Sequence, residues 1–253
     1  MDHPLVSVII PAYNCARCIE KAIDSALEQD ISLEVIVIND CSKDDMDLVM
    51  LRYLDDDRVV YLHNEYNLGA ARTRNYGVSQ AKGKFIAFLD GDDYWASGKL
   101  KRQLEAIKKN KVVLCGTARE LMTPEGILTG RIIPMKEKIR YADLLKQNYF
   151  NCSSVLIRTE VAKEFPMHHE DSHEDYIMWL EVLKKYKKAC GVNEPLLKYR
   201  LSNTGKSGNK IHSAKMTYNV YRYVGFGRAK AGICFCSYAL HGVLKYLLSY
   251  KYR

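Results

Sequence analysis

Short β-branched runs alternate with helix-period segments through the first half of the chain. Val6-Ser-Val-Ile-Ile10 is a buried-strand pattern that halts at Pro11. Ile19, Ala22, Ile23, Ala26 and Leu27 then recur at helical spacing. Leu33-Glu-Val-Ile-Val-Ile38 reads as a second strand, closed by the turn-rich Asn39-Asp-Cys-Ser42. A helix over about 44–54, a strand at Val59–Leu62, a helix over about 70–81 and a strand at Lys84–Leu89 follow. Strands separated by helices predict crossover connections and a mostly parallel sheet flanked by helices, an α/β fold.

In such sheets ligands bind beyond the carboxyl ends of the strands. Those ends here are Pro11-Ala-Tyr-Asn14, Asn39-Asp40, His63-Asn64 and Asp90-Gly-Asp-Asp93. Each alone is an ordinary turn, because Asp, Asn and Gly favour turns. Four in succession place polar groups on one edge, which ordinary turns do not explain.

Further along, Lys99–Lys109 predicts an amphipathic helix and Lys111–Cys115 a strand, whereas 132–151 has no clear period. Ile177, Leu180, Val182, Leu183 and Tyr186 give a strong helix over Asp175–Lys188, and Leu196–Leu201 a final strand. From about Ser213 the chain reads helical. With no internal repeat or long linker, the expectation is one domain over 1–205 and a basic, Tyr-rich helical extension over 206–253.

Composition narrows the class. At 253 residues, 47% hydrophobic and 27% charged, the chain is neither disordered nor fibrous. The net charge of +8 is unevenly spread: from Lys184 onward there are 15 Lys and Arg against one acid, Glu194. The preceding residues are net acidic, so a neutral-to-acidic body carries a basic tail. Met1-Asp-His-Pro begins no secretory signal, and Gly232–Tyr250 is broken by His241 and Lys245, too short for a membrane span. A cytoplasmic protein is expected. Its eight cysteines then read as reduced thiols; Cys15-x-x-Cys18 and Cys234-x-Cys236 lack a second zinc-ribbon pair and are expected to be small buried hydrophobes.

Asp90-Gly-Asp-Asp93 follows the apolar Phe85-Ile-Ala-Phe-Leu89. Three carboxylates in four residues repel one another unless a cation or donors compensate. Hard oxygen ligands at a strand end suit Mg²⁺ or Mn²⁺, ions that usually share their shell with phosphate. No Gly-x-x-x-x-Gly-Lys-[Ser/Thr] loop and no Gly-x-Gly-x-x-Gly is present, which argues against P-loop and dinucleotide-binding chemistry.

Val6-Ser-Val-Ile-Ile-Pro-Ala-Tyr-Asn14, Glu34-Val-Ile-Val-Ile-Asn-Asp-Cys-Ser42, Asn67-x-Gly69 with Arg74-Asn75, and Phe88-Leu-Asp-Gly-Asp-Asp-Tyr-Trp95 occur in that order. Together they resemble an inverting glycosyltransferase of family 2, with the GT-A fold, over about residues 5–205. The resemblance implies that Pro11, Ala12 and Tyr13 line a nucleobase pocket, with Asn67 and Gly69 beside it, and that Asp40 accepts the base's imide N–H. It implies that Arg74 reaches base or diphosphate, that Asp90 and Gly91 hold the ribose side, and that Asp92 with Asp93 coordinates Mn²⁺ or Mg²⁺. His173-Glu174-Asp175 resembles the family's Glu-Asp motif, with Asp175 as catalytic base and Glu174 positioning acceptor or base. A carboxylate at a helix N-terminus is also a common cap, so that reading stands beside it.

Many relatives carry a His shortly after the Tyr-Arg matched by Tyr199-Arg200; here Leu201-Ser202-Asn203 follows. Either His212 substitutes for it or the role is absent, and the loop Ser202–Lys210, with two Gly and two Lys, either closes over the diphosphate or is a plain disordered loop. The implied activity is transfer of a sugar from a nucleotide-sugar, UDP-linked, to a glycan or lipid-linked glycan in bacterial surface-polysaccharide assembly. A catalytically inactive nucleotide- or glycan-binding module and a sugar nucleotidyltransferase are the alternatives; the latter would carry a Gly-rich basic loop after the first strand. Seven tyrosines among basic residues after Lys215, with Phe226, Phe235, Leu240, Leu244 and Leu247, suit peripheral contact with an anionic membrane at the inner face rather than nucleic acid. Self-association into a homo-oligomer is the other use of such a tail.

Overall fold

The computed structural model describes residues 4–201, 210–247 and 250–251. Its elements are β1 (Val6–Ala12), α1 (Ile19–Leu27), β2 (Leu33–Asn39), α2 (Met46–Met50), β3 (Val59–His63), α3 (Ala70–Gln80), β4 (Phe85–Phe88), β5 (Tyr94–Trp95), α4 (Lys99–Asn110) and β6 (Leu114–Met122). Then come β7 (Leu128–Ile133), β8 (Lys138–Arg140), α5 (Tyr141–Leu144), β9 (Leu156–Arg158), α6 (Thr159–Glu164), α7 (Glu174–Tyr186), β10 (Lys188–Arg200), α8 (Lys210–Tyr223), α9 (Arg228–Leu247) and β11 (Tyr250–Lys251).

The sheet runs β11-β7-β6-β9-β4-β1-β2-β3, with β10 beside β6, β5 and β8. β3, β2, β1 and β4 are parallel to their neighbours, as their continuous apolar runs require when both faces are covered. β9 pairs antiparallel with β4, and β6 and β7 continue antiparallel outward. The β3-β2-β1-β4 part of the sheet is thus parallel, antiparallel strands are added at β4, and β10 returns parallel to β6.

Strand order reverses between β1 and β4. β1 runs on through β2 and β3, and the chain then returns to the other side of β1. Ligands of open α/β sheets bind at such a switch point. Pro11 lies within β1, opposite Ile38, rather than beyond it. Ile9 faces β4, whose Leu89 N–H donates to the Ile9 carbonyl. Pro11, two residues on, faces the same side, where the β4 pairing has ended at Phe88, so its missing N–H costs nothing.

Two apolar layers cover the sheet. Val8, Ile10 and Val37 pack with Ile19, Ile23 and Ala26 of α1 on one face. Ile9, Ile38 and Phe88 pack with Trp179, Leu180 and Leu183 of α7 on the other. This second cluster includes Val220 of α8 and Val224 just after it, so the first tail helix shares the core with α7. All eight cysteines are free thiols. No helix among the described residues is long and apolar enough to cross a membrane.

Several boundaries differ from expectation. The strand expected at Lys111–Cys115 begins at Leu114 and runs to Met122, and the one expected at Leu196–Leu201 is the end of β10. The helix expected over Asp175–Lys188 spans Glu174–Tyr186, stopped by Lys187 at φ 67°.

Candidate active site

A cleft of about 1030 Å³ opens at the switch point, lined by Pro11, Ala12, Tyr13 and Asn14 from the end of β1, Asp40 from β2, and Asp90, Gly91 and Asp92 after β4. Asn67, Gly69, Ala70 and Arg74 close one side; Cys15, Arg17, Cys18, Pro124, Glu125 and Arg200 close the other. Tyr13 presents its ring to solvent at 48% exposure. The backbone turns away on either side of it: Asn14 has φ 51° and Cys41 φ 62°, left-handed corners. Asn14 Oδ1 accepts from the Lys43 N–H at 2.8 Å, and Asp44 Oδ2 from the Ala16 N–H at 2.8 Å, which ties the two corners together.

Asp40 is 2% exposed, and its carboxylate organises the Asn67–Gly69 corner. Oδ1 accepts from Asn64 Nδ2 (2.7 Å) and the Leu68 N–H (2.8 Å), and Oδ2 from the Gly69 N–H (2.9 Å). Asn67 Nδ2 donates to the Asp40 carbonyl at 3.1 Å. A carboxylate offers about four acceptor positions, so one remains for a ligand. Gly69 has φ 82°, and a Cβ there would lie 2.4 Å from Glu170 Oε2, so only glycine fits. At Gly91 a Cβ would crowd the side chains of Cys15 and Ile19, the nearest being Cys15 Sγ at 2.8 Å.

Arg74 is 6% exposed and sits between two acids. Its Nη2 donates to Asp90 Oδ1 at 2.5 Å and its Nη1 to Glu174 Oε1 at 3.1 Å. Burial works against its charge, but Asp90 and Glu174 outweigh burial and keep the guanidinium protonated. Arg74 was expected to reach base or diphosphate. It lines the cleft, but its guanidinium joins the end of β4 to the start of α7.

The acidic turn divides by burial. Asp92 faces the cleft, and burial together with Asp90 raises its carboxyl to about 6. Asp93 does not line the cleft. It is 1% exposed, Oδ1 accepts the Arg200 N–H at 2.8 Å, and Oδ2 has no hydrogen-bond partner. Burial pushes the Asp93 carboxyl well up, with Asp92 and Asp90 adding to it. Asp93, expected beside Asp92 as a metal ligand, thus points away from the cleft and braces the turn against β10. The turn closes through the Asp93 N–H to the Asp90 carbonyl at 3.0 Å, which aims successive side chains to opposite sides.

Asp175 lies in the first turn of α7, half-buried, with Oδ1 accepting its neighbour's Tyr176 N–H at 2.7 Å. Burial, then Glu174, raises its carboxyl to about 7; Arg74 and the Tyr176 N–H oppose the rise and Asp90 adds to it. A base poised near neutrality is what proton abstraction needs. Cys152 also senses the Asp175 charge from the segment before β9.

Two contributors escaped the sequence reading. Arg200 Nε donates to the Asp92 carbonyl (2.9 Å) and Nη1 to the Pro124 carbonyl (2.7 Å), pinning the acidic turn to the β6–β7 hairpin. Ser153 Oγ accepts the Asp90 N–H at 3.1 Å. The Tyr199-Arg200 pair was a signal for the first; the Asn151–Ser154 segment gave none for the second. His212 is exposed in the first turn of α8, and residues 202–209, expected to supply a loop, lie outside the described residues.

The residues present fit a divalent cation bound with its ligand. Asp92 is a carboxylate facing the cleft whose ionisation lacks a nearby compensating cation beyond Arg200 and Arg74. No group of three His, Cys, Asp or Glu suited to a metal occurs among the described residues, so phosphate and water must complete the shell.

Comparison with known proteins agrees with this geometry. Residues 7–165 match the model of Glycosyl transferase family 2. The putative teichuronic acid biosynthesis glycosyltransferase TuaG of Bacillus subtilis is 37% identical over 247 residues, 96% of this chain and 98% of the relative. The UDP-Glc:alpha-D-GlcNAc-diphosphoundecaprenol beta-1,3-glucosyltransferase WfaP of Escherichia coli is 33% identical over 248 residues, 98% of this chain and 97% of its own. Among solved structures, S. aureus TarS 1-349 in complex with UDP-GlcNAc superimposes with a TM-score of 0.73 at 18% identity, covering 92% of this chain and 71% of that one. The mannosyltransferase PcManGT of Pyrobaculum calidifontis, in complex with GDP-Man and Mn²⁺, gives 0.71 at 16% identity, covering 95% and 74%. These likenesses identify the fold as GT-A. The chain is a glycosyltransferase and belongs to Glycosyl transferase family 2.

Proposed function

We propose that this glycosyltransferase moves a sugar from a UDP-sugar to a hydroxyl of a glycan or lipid-linked glycan in surface-polysaccharide assembly, with inversion at the anomeric carbon. The observation that carries the reading is the juxtaposition at the switch point: a nucleotide-sized cleft floored by Asp90 and Asp92, with Asp175 joined to it through Arg74 and Glu174. The names of TuaG and WfaP support the surface-polysaccharide context, and that of WfaP a UDP-linked donor and a lipid-linked acceptor.

In this reading Tyr13, with Pro11 and Ala12, stacks on the base, and the free acceptor position of Asp40 takes the imide N–H. Asp90 uses one oxygen on Arg74 and keeps the other for a ribose hydroxyl. Asp92 would hold Mn²⁺ or Mg²⁺, which would supply positive charge against the leaving diphosphate. Asp175 takes the proton of the attacking hydroxyl. The new bond forms between acceptor oxygen and anomeric carbon as the bond to phosphate breaks, so one in-line displacement inverts the centre. Glu174 stays on Arg74 and fixes the first turn of α7.

The tail suits a membrane surface. On α9, Ile233 is 72% and Leu240 62% exposed, one helical stripe, and the basic Arg228 and Lys230 precede them. Such a helix lies at a headgroup boundary and brings the cleft to lipid-borne acceptors at the cytoplasmic face. The side chains of Leu244 and Leu247 lie outside the described residues.

Calorimetry with UDP tests the donor site. Affinity should rise with Mn²⁺, and Asp92→Asn should lose the metal-dependent part. Equal UDP affinity with and without metal, in wild type and variant alike, would refute the assignment.

A further inference from the structure

We infer that α8 is the brace of the catalytic turn, with Tyr221 and Tyr223 as positioning residues that fix where Asp175 meets its substrate. The inference rests on the reading of Asp175 as the base.

The segment from His169 to Tyr176 is tied to α8 at nearly every residue that is not itself in the site. The His169 ring stacks face to face on Tyr223, with centroids 3.7 Å apart and planes 10° from parallel. The Tyr223 hydroxyl donates to Asp171 Oδ2 at 2.6 Å. Ser172, fully buried, donates from Oγ to the Met216 carbonyl at 2.8 Å. His173 Nε2 lies 3.5 Å from Ser213 Oγ. Tyr176 and Tyr221 bring their hydroxyls to 3.2 Å, and these donate in turn to the carbonyls of Leu144 and Leu145.

On the opposite side, the segment is held by Arg74 on Glu174 and by the Arg72 N–H on Glu170 Oε1. Glu174 and Asp175 therefore hang between the donor cleft and α8. His169 adopts φ 65°, a left-handed conformation that costs a residue with a Cβ free energy and persists only when its surroundings impose it. The Tyr223 stack and the Asp171 bond are those surroundings. Removing them lets the loop relax and moves the turn that follows. A displacement of about 1 Å in a reacting group costs up to about 10²-fold in rate, while Tyr13, Asp90 and Asp92, which line the cleft from β1 and the turn after β4, do not belong to this segment.

Full-length Tyr223→Ala, Tyr223→Phe and Tyr221→Phe test this by steady-state transfer, UDP calorimetry and thermal melting. Tyr223 is 37% exposed, so its truncation leaves the core filled. Tyr223→Ala should lower kcat roughly 10-fold or more with donor KM and UDP affinity unchanged. Tyr223→Phe, which keeps the stack, should recover most of that loss, and Tyr221→Phe should fall between. Unchanged kcat in Tyr223→Ala and Tyr221→Phe would overturn the inference. So would a loss of kcat that merely follows loss of folded protein, or one that Phe fails to relieve. Asp175→Asn separates the readings: if it transfers sugar normally, the base lies elsewhere, whereas an inactive Asp175→Asn beside a fully active Tyr223→Ala sinks the brace alone.

Discussion

Replacing Asp175 by Asn removes the proposed base and little else, since the amide oxygen can still accept the Tyr176 N–H that Oδ1 accepts now. The carboxyl is held at about 7 against an ordinary 3.8. A displacement of that size is a penalty on ionisation of about 4 kcal/mol, supplied mainly by burial and then by Glu174. The raised value has a direct kinetic consequence. Asp175 acts only when ionised, so kcat/KM should climb with pH, with about a tenth of the sites competent at pH 6 and about nine-tenths at pH 8. Asp175→Asn should reduce transfer by about 10²- to 10⁴-fold and abolish the limb near pH 7, with UDP affinity retained. Product release from a UDP-sugar, followed by chromatography at saturating Mn²⁺ across pH 5 to 9, reads both effects. A variant within about threefold of wild type, or one that keeps the same ascending limb, refutes the reasoning: Asp175 would then be a first-turn acid stabilised by the helix dipole.

Two further outcomes follow from buried and exposed charge. Lys99 is 0% exposed, lies over the Trp95 ring and is pushed down to about 7 by burial, so below pH 7 the folded protein carries a buried ammonium, and the penalty falls away as pH rises toward 10.5. Lys99→Met should therefore stabilise by about 2 kcal/mol at pH 7, after the cost of leaving Gln103 Oε1 unpaired, and destabilise by about 1 kcal/mol near pH 10, where only that cost is left; urea unfolding at the two pH values checks it, and a destabilised variant at pH 7 contradicts it. For the tail, sedimentation with liposomes should show binding to anionic vesicles that weakens with salt, since each basic residue near such a surface contributes about 1 kcal/mol. Ile233→Asp with Leu240→Asp should remove the salt-resistant remainder; equal binding to neutral and anionic vesicles, or none to either, would assign the exposed stripe to self-association.

The parallel half of the fold is legible because buried parallel strands are nearly continuous apolar runs, broken in β1 and β2 only by Ser7 and Glu34, which pair with each other. β6 is different. Its Arg119-Glu120 pair reads as a break, but Glu120 is matched across the sheet by Lys198 at 2.7 Å, so the charges are internal to the strand pairing. β8 and β9 are three residues each, shorter than any periodicity can resolve. The acidic turn was located by composition, but composition cannot say which carboxylate faces the ligand. That depends on the Asp93 N–H folding back to Asp90 and on Arg200 arriving from the far end of β10. In the tail, Met216, Val220, Tyr221 and Val224 keep a helical period, and all four are buried. That apolar stripe was visible beneath the basic residues, and it is what docks α8 on α7.

The site concentrates what the rest of the fold avoids. Asp90, Asp92, Glu174 and Asp175 gather around a single buried guanidinium, Arg74, with Arg200 at the rim. In the core away from it, Ser7 donates to Glu34, and Gln103 satisfies the carbonyls of Cys115 and Ser154. Carboxylates crowded in this way resist ionisation, as the raised values at Asp92 and Asp175 record. A divalent cation held with a diphosphate would relieve Asp92, which lines the cleft, and would act less directly on Asp175, which does not line it. In the proposed reading that difference drives the two acids apart, one toward ionisation as a ligand and the other left near neutrality as a base. Arg74, bonded to Asp90 on one side and to Glu174 on the other, stands between them.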